Sequence, residues 1–183
     1  MPEYDIGEIE KLIDGKLPWP RVQEIMKAAK DSERFEKWVK ILQGRVSWPE
    51  PILLPLTPSL FIVQKEDGER VVKCRCGQEF GDYRVNWKLS ASIYVRETLE
   101  QLYEIYRGSE QPDPAWIQLR EYSCPGCAAQ LEVEAVPRGT PPDFDFLPDL
   151  DTFYGEWLGR PLPDKVEFVD KTPETIKEWA ASS

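Results

Sequence analysis

The chain has 183 residues, 41% hydrophobic and 31% charged, and its 33 acidic side chains outnumber the 23 basic ones to give a net charge of −10. That size suits one domain with arms, and the acidic balance argues against nucleic acid as a partner, because phosphate binding needs clustered Lys and Arg. Histidine is absent, which removes Ser-His-Asp and Cys-His nucleophile pairs and every His-containing zinc site.

In chain order, Ile6, Ile9, Leu12 and Ile13 recur at helical spacing over residues 6–14, and Gly15 is placed as a C-terminal stop. Pro18 and Pro20 then break the chain, and a second helix is predicted from about Pro20, carrying Val22, Ile25, Met26 and Ala29. A third is predicted after Asp31 as N-cap, with a stripe of Phe35, Trp38, Val39 and Leu42 and a stop at Gly44. These stripes read most simply as surfaces that pack a core or a partner helix. Residues 52–56, ILLPL, read as a short strand interrupted by proline. Residues 60–74 read as a β-hairpin whose apolar runs flank Asp67-Gly68, a pair suited to a type I′ turn. Residues 91–106 are predicted helical, with Leu99, Leu102, Tyr103 and Tyr106 on one side. Residues 115–123 and 130–136 read as a second pair of strands. The second of them alternates Leu131, Val133 and Ala135 with Glu132 and Glu134.

From Pro137 the composition turns to proline, aspartate and aromatics, with 10 acidic and 5 basic residues over 137–183, a net −5. A short helix at about 149–158 would display Phe153 and Trp157. Phe144, Phe146, Phe153, Tyr154 and Trp157 are the expected anchors of an arm wrapped over a partner; the simpler reading folds the arm back onto its own domain. Trp87 and Lys88 read equally as a partner contact or as the cap of the following helix. Asp143 and Asp145 form an acidic pair that reads as solvated surface rather than as acid–base machinery.

Four cysteines carry the chemistry. Cys74 and Cys76 leave the predicted hairpin as C-x-C, and Cys124 and Cys127 sit as C-P-G-C in the turn between the later strands. Two such turns meeting would offer four thiolates to one tetrahedral ion, the logic of a zinc ribbon. Structural Zn2+ is the favoured reading. Rubredoxin-like iron, disulfides and free structural thiols stay open. Such a site is closed to water and substrate, so its expected role is to cross-link remote segments. Lys73 and Arg75 are positioned in sequence to offset a tetrathiolate's charge. The chain has no Gly-rich phosphate loop and no Met-Lys-Met biotin stretch. No apolar run approaches the ~20 residues of a membrane span. The first residues lack the features of a secretory signal, so the expected location is cytoplasmic.

The stretches ILLPLTPSLFIVQ (52–64), CRCGQEFGDYRVNWKLSASIYVRET (74–98), PAWIQLREYSCPGC (114–127) and FYGEWLGRPLP (153–163) resemble the γ subunit of acetone carboxylase, in the same order, from roughly residue 5 to 163. The tail from Asp164 has no counterpart in that resemblance. Ala128 stands where a glycine commonly follows such a knuckle, so a differently shaped second turn is expected. The resemblance implies a small zinc-bearing subunit of a hetero-hexamer with two α, two β and two γ chains. That enzyme joins acetone and bicarbonate into acetoacetate with ATP and without biotin. It implies Cys74, Cys76, Cys124 and Cys127 as the metal ligands and no catalytic residue on this chain. ATP and a further metal belong to the large partner subunits. Acetophenone-type carboxylases have a similar small subunit. A stand-alone zinc-ribbon adaptor for some other protein is the rival reading. The expected fold is α+β: N-terminal helices over 1–48, a zinc-ribbon-like antiparallel β core with an inserted helix over 49–136, and an extended partner-binding arm and tail over 137–183.

Overall fold

The computed structural model describes residues 3–182. Three helices come first: α1 (Ile6–Ile13), α2 (Trp19–Lys27) and α3 (Arg34–Gln43). Asp5 caps α1 by accepting from the Gly7 amide, and Gly15 ends it at φ +67, a conformation glycine adopts without steric cost. Asp31 does not cap α3 directly. It lies two residues before the Glu33 N-cap, where its carboxylate accepts from the Glu33 and Tyr4 amides and from the Lys37 ammonium. Asp31 thus ties the chain start to α3, beside the small core of Tyr4, Ile9, Ile25 and Ile41.

Sheet A follows, in the order β1 (Ile52–Thr57), β2 (Leu60–Gln64), β3 (Arg70–Cys74), β4 (Glu79–Asp82), all antiparallel. Pro55 is tolerated because β1 is an edge strand with irregular register. The run Leu60-Phe61-Ile62-Val63 is buried throughout because both faces of the sheet are covered. Phe61 and Val63 pack with Leu42 and Trp48 beneath α3, while Leu60 and Ile62 face Trp87, Tyr122 and Leu150. The β2–β3 loop is not the expected two-residue turn. The Gly68 amide donates to the Lys65 carbonyl and the Lys65 amide to that of Glu69. Only Gly68, at φ +88, takes the left-handed conformation, so the loop is a three-residue turn with a glycine bulge.

The expected helix over 91–106 is half strand. β5 (Ser92–Arg96) pairs with β6 (Ile117–Ser123), which pairs with β7 (Gln130–Pro137) in an antiparallel sheet B. Ile93, Tyr94 and Val95 suit a strand. The helix begins only at Thr98, whose hydroxyl and Gln101 form a capping box for α4 (Leu99–Tyr103). Leu102 is buried completely. Between the sheets, Asn86 caps a 3-10 turn over Trp87–Ser90.

Residues 138–149 cross sheet B without regular structure, and α5 (Leu150–Thr152) runs into a π-turn over Phe153–Trp157. Leu150 is fully buried in the main core, and the Tyr154 hydroxyl donates to the Leu53 carbonyl at 2.8 Å. Phe153 packs edge-on against Phe35 of α3. Much of the aromatic segment therefore folds back onto its own chain, while Phe146 and Trp157 remain 58% and 76% exposed. The tail ends in α6 (Thr172–Ser182). No helix among the described residues is long and apolar enough to cross a membrane. The fold is α+β, helices with antiparallel sheets, and its four cysteines are drawn together.

Candidate metal centre

Each cysteine pair rides on a tight turn at the end of one sheet. At the first, between β3 and β4, the Cys74 amide donates to the Gln78 carbonyl and the Gly77 amide to the Cys74 carbonyl, both at 2.8 Å. Gly77 sits at φ +100. At the second, between β6 and β7, the Cys124 amide donates to the Ala129 carbonyl at 2.9 Å and the Ala128 amide to the Cys124 carbonyl at 2.8 Å. Ala128 occupies the left-handed position at φ +56. The expected difference in turn shape does not arise; the alanine adopts the glycine conformation and bears the strain.

The turns face each other closely. A methyl group built on Gly126 would lie 3.1 Å from Gln78 Cβ and 3.4 Å from Cys76 Sγ, so glycine there lets the knuckles meet. All four sulfurs lie within 4.8 Å of one another, with Cys74 Sγ 3.9 Å from Cys127 Sγ and Cys76 Sγ 3.7 Å from Cys124 Sγ. Tetrahedral thiolates 2.3 Å from a zinc ion would be about 3.8 Å apart, and no pair is at the ~2.0 Å of a disulfide. Geometry and donor chemistry thus fit one tetrahedral ion. Cys74 and Cys124 are buried and Cys76 and Cys127 exposed.

Backbone amides point at the sulfurs. Burial pushes the Cys74 and Cys76 thiols up, and the amides of Cys76 and Gln78 respectively oppose that push. The Ala129 amide holds the Cys127 thiol below its ordinary range. Lys73 does not serve the sulfurs as the sequence suggested. Its ammonium pairs with Glu50 at 2.5 Å, reaches Glu79 at 3.4 Å and lies over the Trp48 ring.

A second charged group was missed in the sequence. Lys88, its side chain only 1% exposed, is ringed by Glu132, Glu134 and Asp145, with Glu132 at 2.8 Å. Burial opposes its charge, but the three carboxylates outweigh burial and raise its pKa. Burial likewise raises that of Glu132, against the pull of Lys88. The Tyr122 hydroxyl donates to Glu134, and the Arg120 guanidinium donates to the Thr140 carbonyl. Asp145 and Thr140 belong to the segment after β7, so this network lashes that segment to sheet B. Trp87 is buried between Phe80 and Tyr122. Trp87 and Lys88 are therefore internal, neither partner contacts nor the cap of α4. The only hint in sequence was the alternation of Glu132 and Glu134 with apolar residues, which suggests an exposed face.

Residues 46–158 match the family described as acetone carboxylase gamma subunit. This chain belongs to that family. The acetone carboxylase gamma subunit of Xanthobacter autotrophicus is 42% identical over 165 residues, covering 90% of this chain and 98% of the relative. The acetophenone carboxylase beta subunit of Aromatoleum aromaticum is 32% identical over 79 residues, 42% of this chain and 61% of the relative. Membership of this family makes the chain a carboxylase subunit, and the matched region includes both cysteine turns and the Lys88 network.

Proposed function

We propose that this chain is a bracing, non-catalytic subunit of an ATP-dependent, biotin-independent ketone carboxylase, with Cys74, Cys76, Cys124 and Cys127 holding one structural Zn2+. The four-sulfur cluster carries the reading, since its spacing suits a tetrathiolate and the chain has no histidine to offer another donor. Zinc bound there supplies a cross-link between the sheets and leaves no ligand position for water or substrate.

The 42% identity to a subunit named for acetone carboxylase favours acetone as the ketone, converted with bicarbonate to acetoacetate. The shorter match to an acetophenone carboxylase subunit keeps that ketone as the second reading. The partners on this proposal are large α and β subunits, two copies of each chain, in a cytoplasmic complex, with ATP and a further metal on those partners. Residues 137–183 act as the arm toward them, and the exposure of Phe146 and Trp157 supports that role.

Tagged chain should co-purify with two much larger polypeptides and about one zinc per copy. Recovery without larger polypeptides would favour the stand-alone adaptor instead. Red colour on oxidation would mark rubredoxin-like iron and overturn the zinc assignment.

A further inference from the structure

A cleft of about 730 Å3 opens between the N-terminal helices and sheet A. Leu12 of α1, Phe35 and Trp38 of α3 and Leu56 of β1 give it an apolar lining. None of these four is fully buried, so the cleft leaves apolar surface in contact with water. Arg34, at the start of α3, and Arg75, between Cys74 and Cys76, also line it. Both are exposed. Eight of the chain's 11 arginines have a carboxylate within ion-pair distance. Among the described residues the three without one are Arg34, Arg75 and Arg107, and two of those three line this cleft. A chain of net charge −10 has ample carboxylates to satisfy them. Unpaired cations beside unfilled apolar surface are complementary to an acidic, apolar occupant.

We propose that the cleft receives a segment of a partner subunit that presents large apolar side chains flanked by Asp or Glu. The inference rests on the reading of the chain as part of a multi-subunit carboxylase, and names the surface it uses. The apolar side chains fill the space between α1, α3 and β1. The flanking carboxylates meet the Arg34 and Arg75 guanidiniums, whose planar donors suit bidentate pairing.

The test is assembly of the complex from tagged full-length chain bearing Arg34→Glu, Arg34→Glu with Arg75→Glu, or Arg107→Glu. Subunit retention is followed by native mass over a salt series. Arg34→Glu should weaken retention about tenfold, with a flatter salt dependence, and the double variant more. Arg107→Glu should assemble like the unaltered chain. Melting temperature and metal content of the isolated Arg34→Glu chain should be unchanged, which separates docking from folding. If the unaltered chain assembles and both cleft variants do so equally well, this inference alone falls. If the unaltered chain retains no larger subunit, the functional reading falls with it. A dimer of the isolated chain abolished by Arg34→Glu, or octanoate binding that depends on Arg34 while assembly does not, would assign the cleft to another occupant and overturn the proposal.

Discussion

The two sheets solve the same problem by different means. Sheet A is held chiefly by apolar packing on both faces, with Phe61, Ile62, Val63 and Val72 almost wholly buried, and its two buried cations, Arg70 and Lys73, pair with Asp151 and Glu50. Sheet B buries Gln118, Arg120 and Arg96 among its strands, and its inner face meets Lys88 with its three carboxylates. Apolar burial is cumulative and tolerates small losses. A buried charge cluster holds only while each member keeps its partners. Each sheet ends in one cysteine turn, so an ion between the turns would couple a robust layer to a conditional one.

Removing that ion is the strongest way to break the comparison. Metal–thiolate binding in small structural sites is worth about 10–16 kcal/mol. Cys124→Ser or chelation should therefore uncouple the layers, with β5–β7 losing amide-exchange protection well before β2 and β3. Simultaneous loss in both sheets would mean that they form one unit whatever the metal does. Next in size, Lys88→Met leaves three carboxylates crowded around a vacated charge and should cost about 3–5 kcal/mol in denaturant unfolding. Exchange at residues 140–145 should rise most. A cost below about 1 kcal/mol would reduce the network to an ordinary surface ion pair.

Acid should sharpen the contrast between the Lys88 cluster and the N-terminal helices. The Lys37 ammonium, with the Glu33 and Tyr4 amides, holds the Asp31 carboxyl below its usual range. The stability Asp31 provides is present above the ordinary carboxylate pKa and is lost as pH falls through the lowered value. Glu132, raised by burial, has the opposite sign: its contribution is present at low pH and lost as pH rises through the raised value. Mild acidification neutralises Glu132 first, at no cost in stability, and α1 and α3 should loosen only as pH falls below the ordinary carboxylate range through the lowered Asp31 value. NMR titration of both carboxyls, with exchange in each region, checks this. The smallest effect is expected at Ala128→Gly. It relieves about 1–2 kcal/mol of left-handed strain and returns about 0.4–1 kcal/mol through the freer unfolded chain. Thermal melting should show a net stabilisation of at most about 1.6 kcal/mol.

β1, β2 and β3 were legible in sequence because their signals are local: an apolar run, Asp67-Gly68, and a cysteine pair at the strand's exit; β4 (Glu79–Asp82), short and with Phe80 as its one buried residue, was not. The helical stripes of α1–α3 were legible for the same reason. The four sulfurs could be grouped from the turns that carry them. Ser92–Arg96 was misread because the apolar spacing of Leu99 and Leu102 extended a helical pattern backward across a segment whose pairing partner, β6, lies over 20 residues away. The Lys88 network was invisible because alternating glutamates ordinarily mark a solvated face. Here a lysine 44 residues upstream of Glu132 and an aspartate 13 residues downstream converge on that face. Long-range charge matching of this kind leaves no periodic trace. The arm's aromatics were read as anchors for a partner, yet Phe153 and Tyr154 pack on their own chain because Leu150 carries the segment into the core.

The cysteines' unequal burial has a consequence for exchange with the surroundings. Cys74 and Cys124 face the interior and Cys76 and Cys127 face solvent. Alkylating reagents and competing chelators would thus approach from one side only, taking one donor from each turn first. An ion lost by that route would leave the inner thiols sheltered, poised to recapture a replacement before the sheets part.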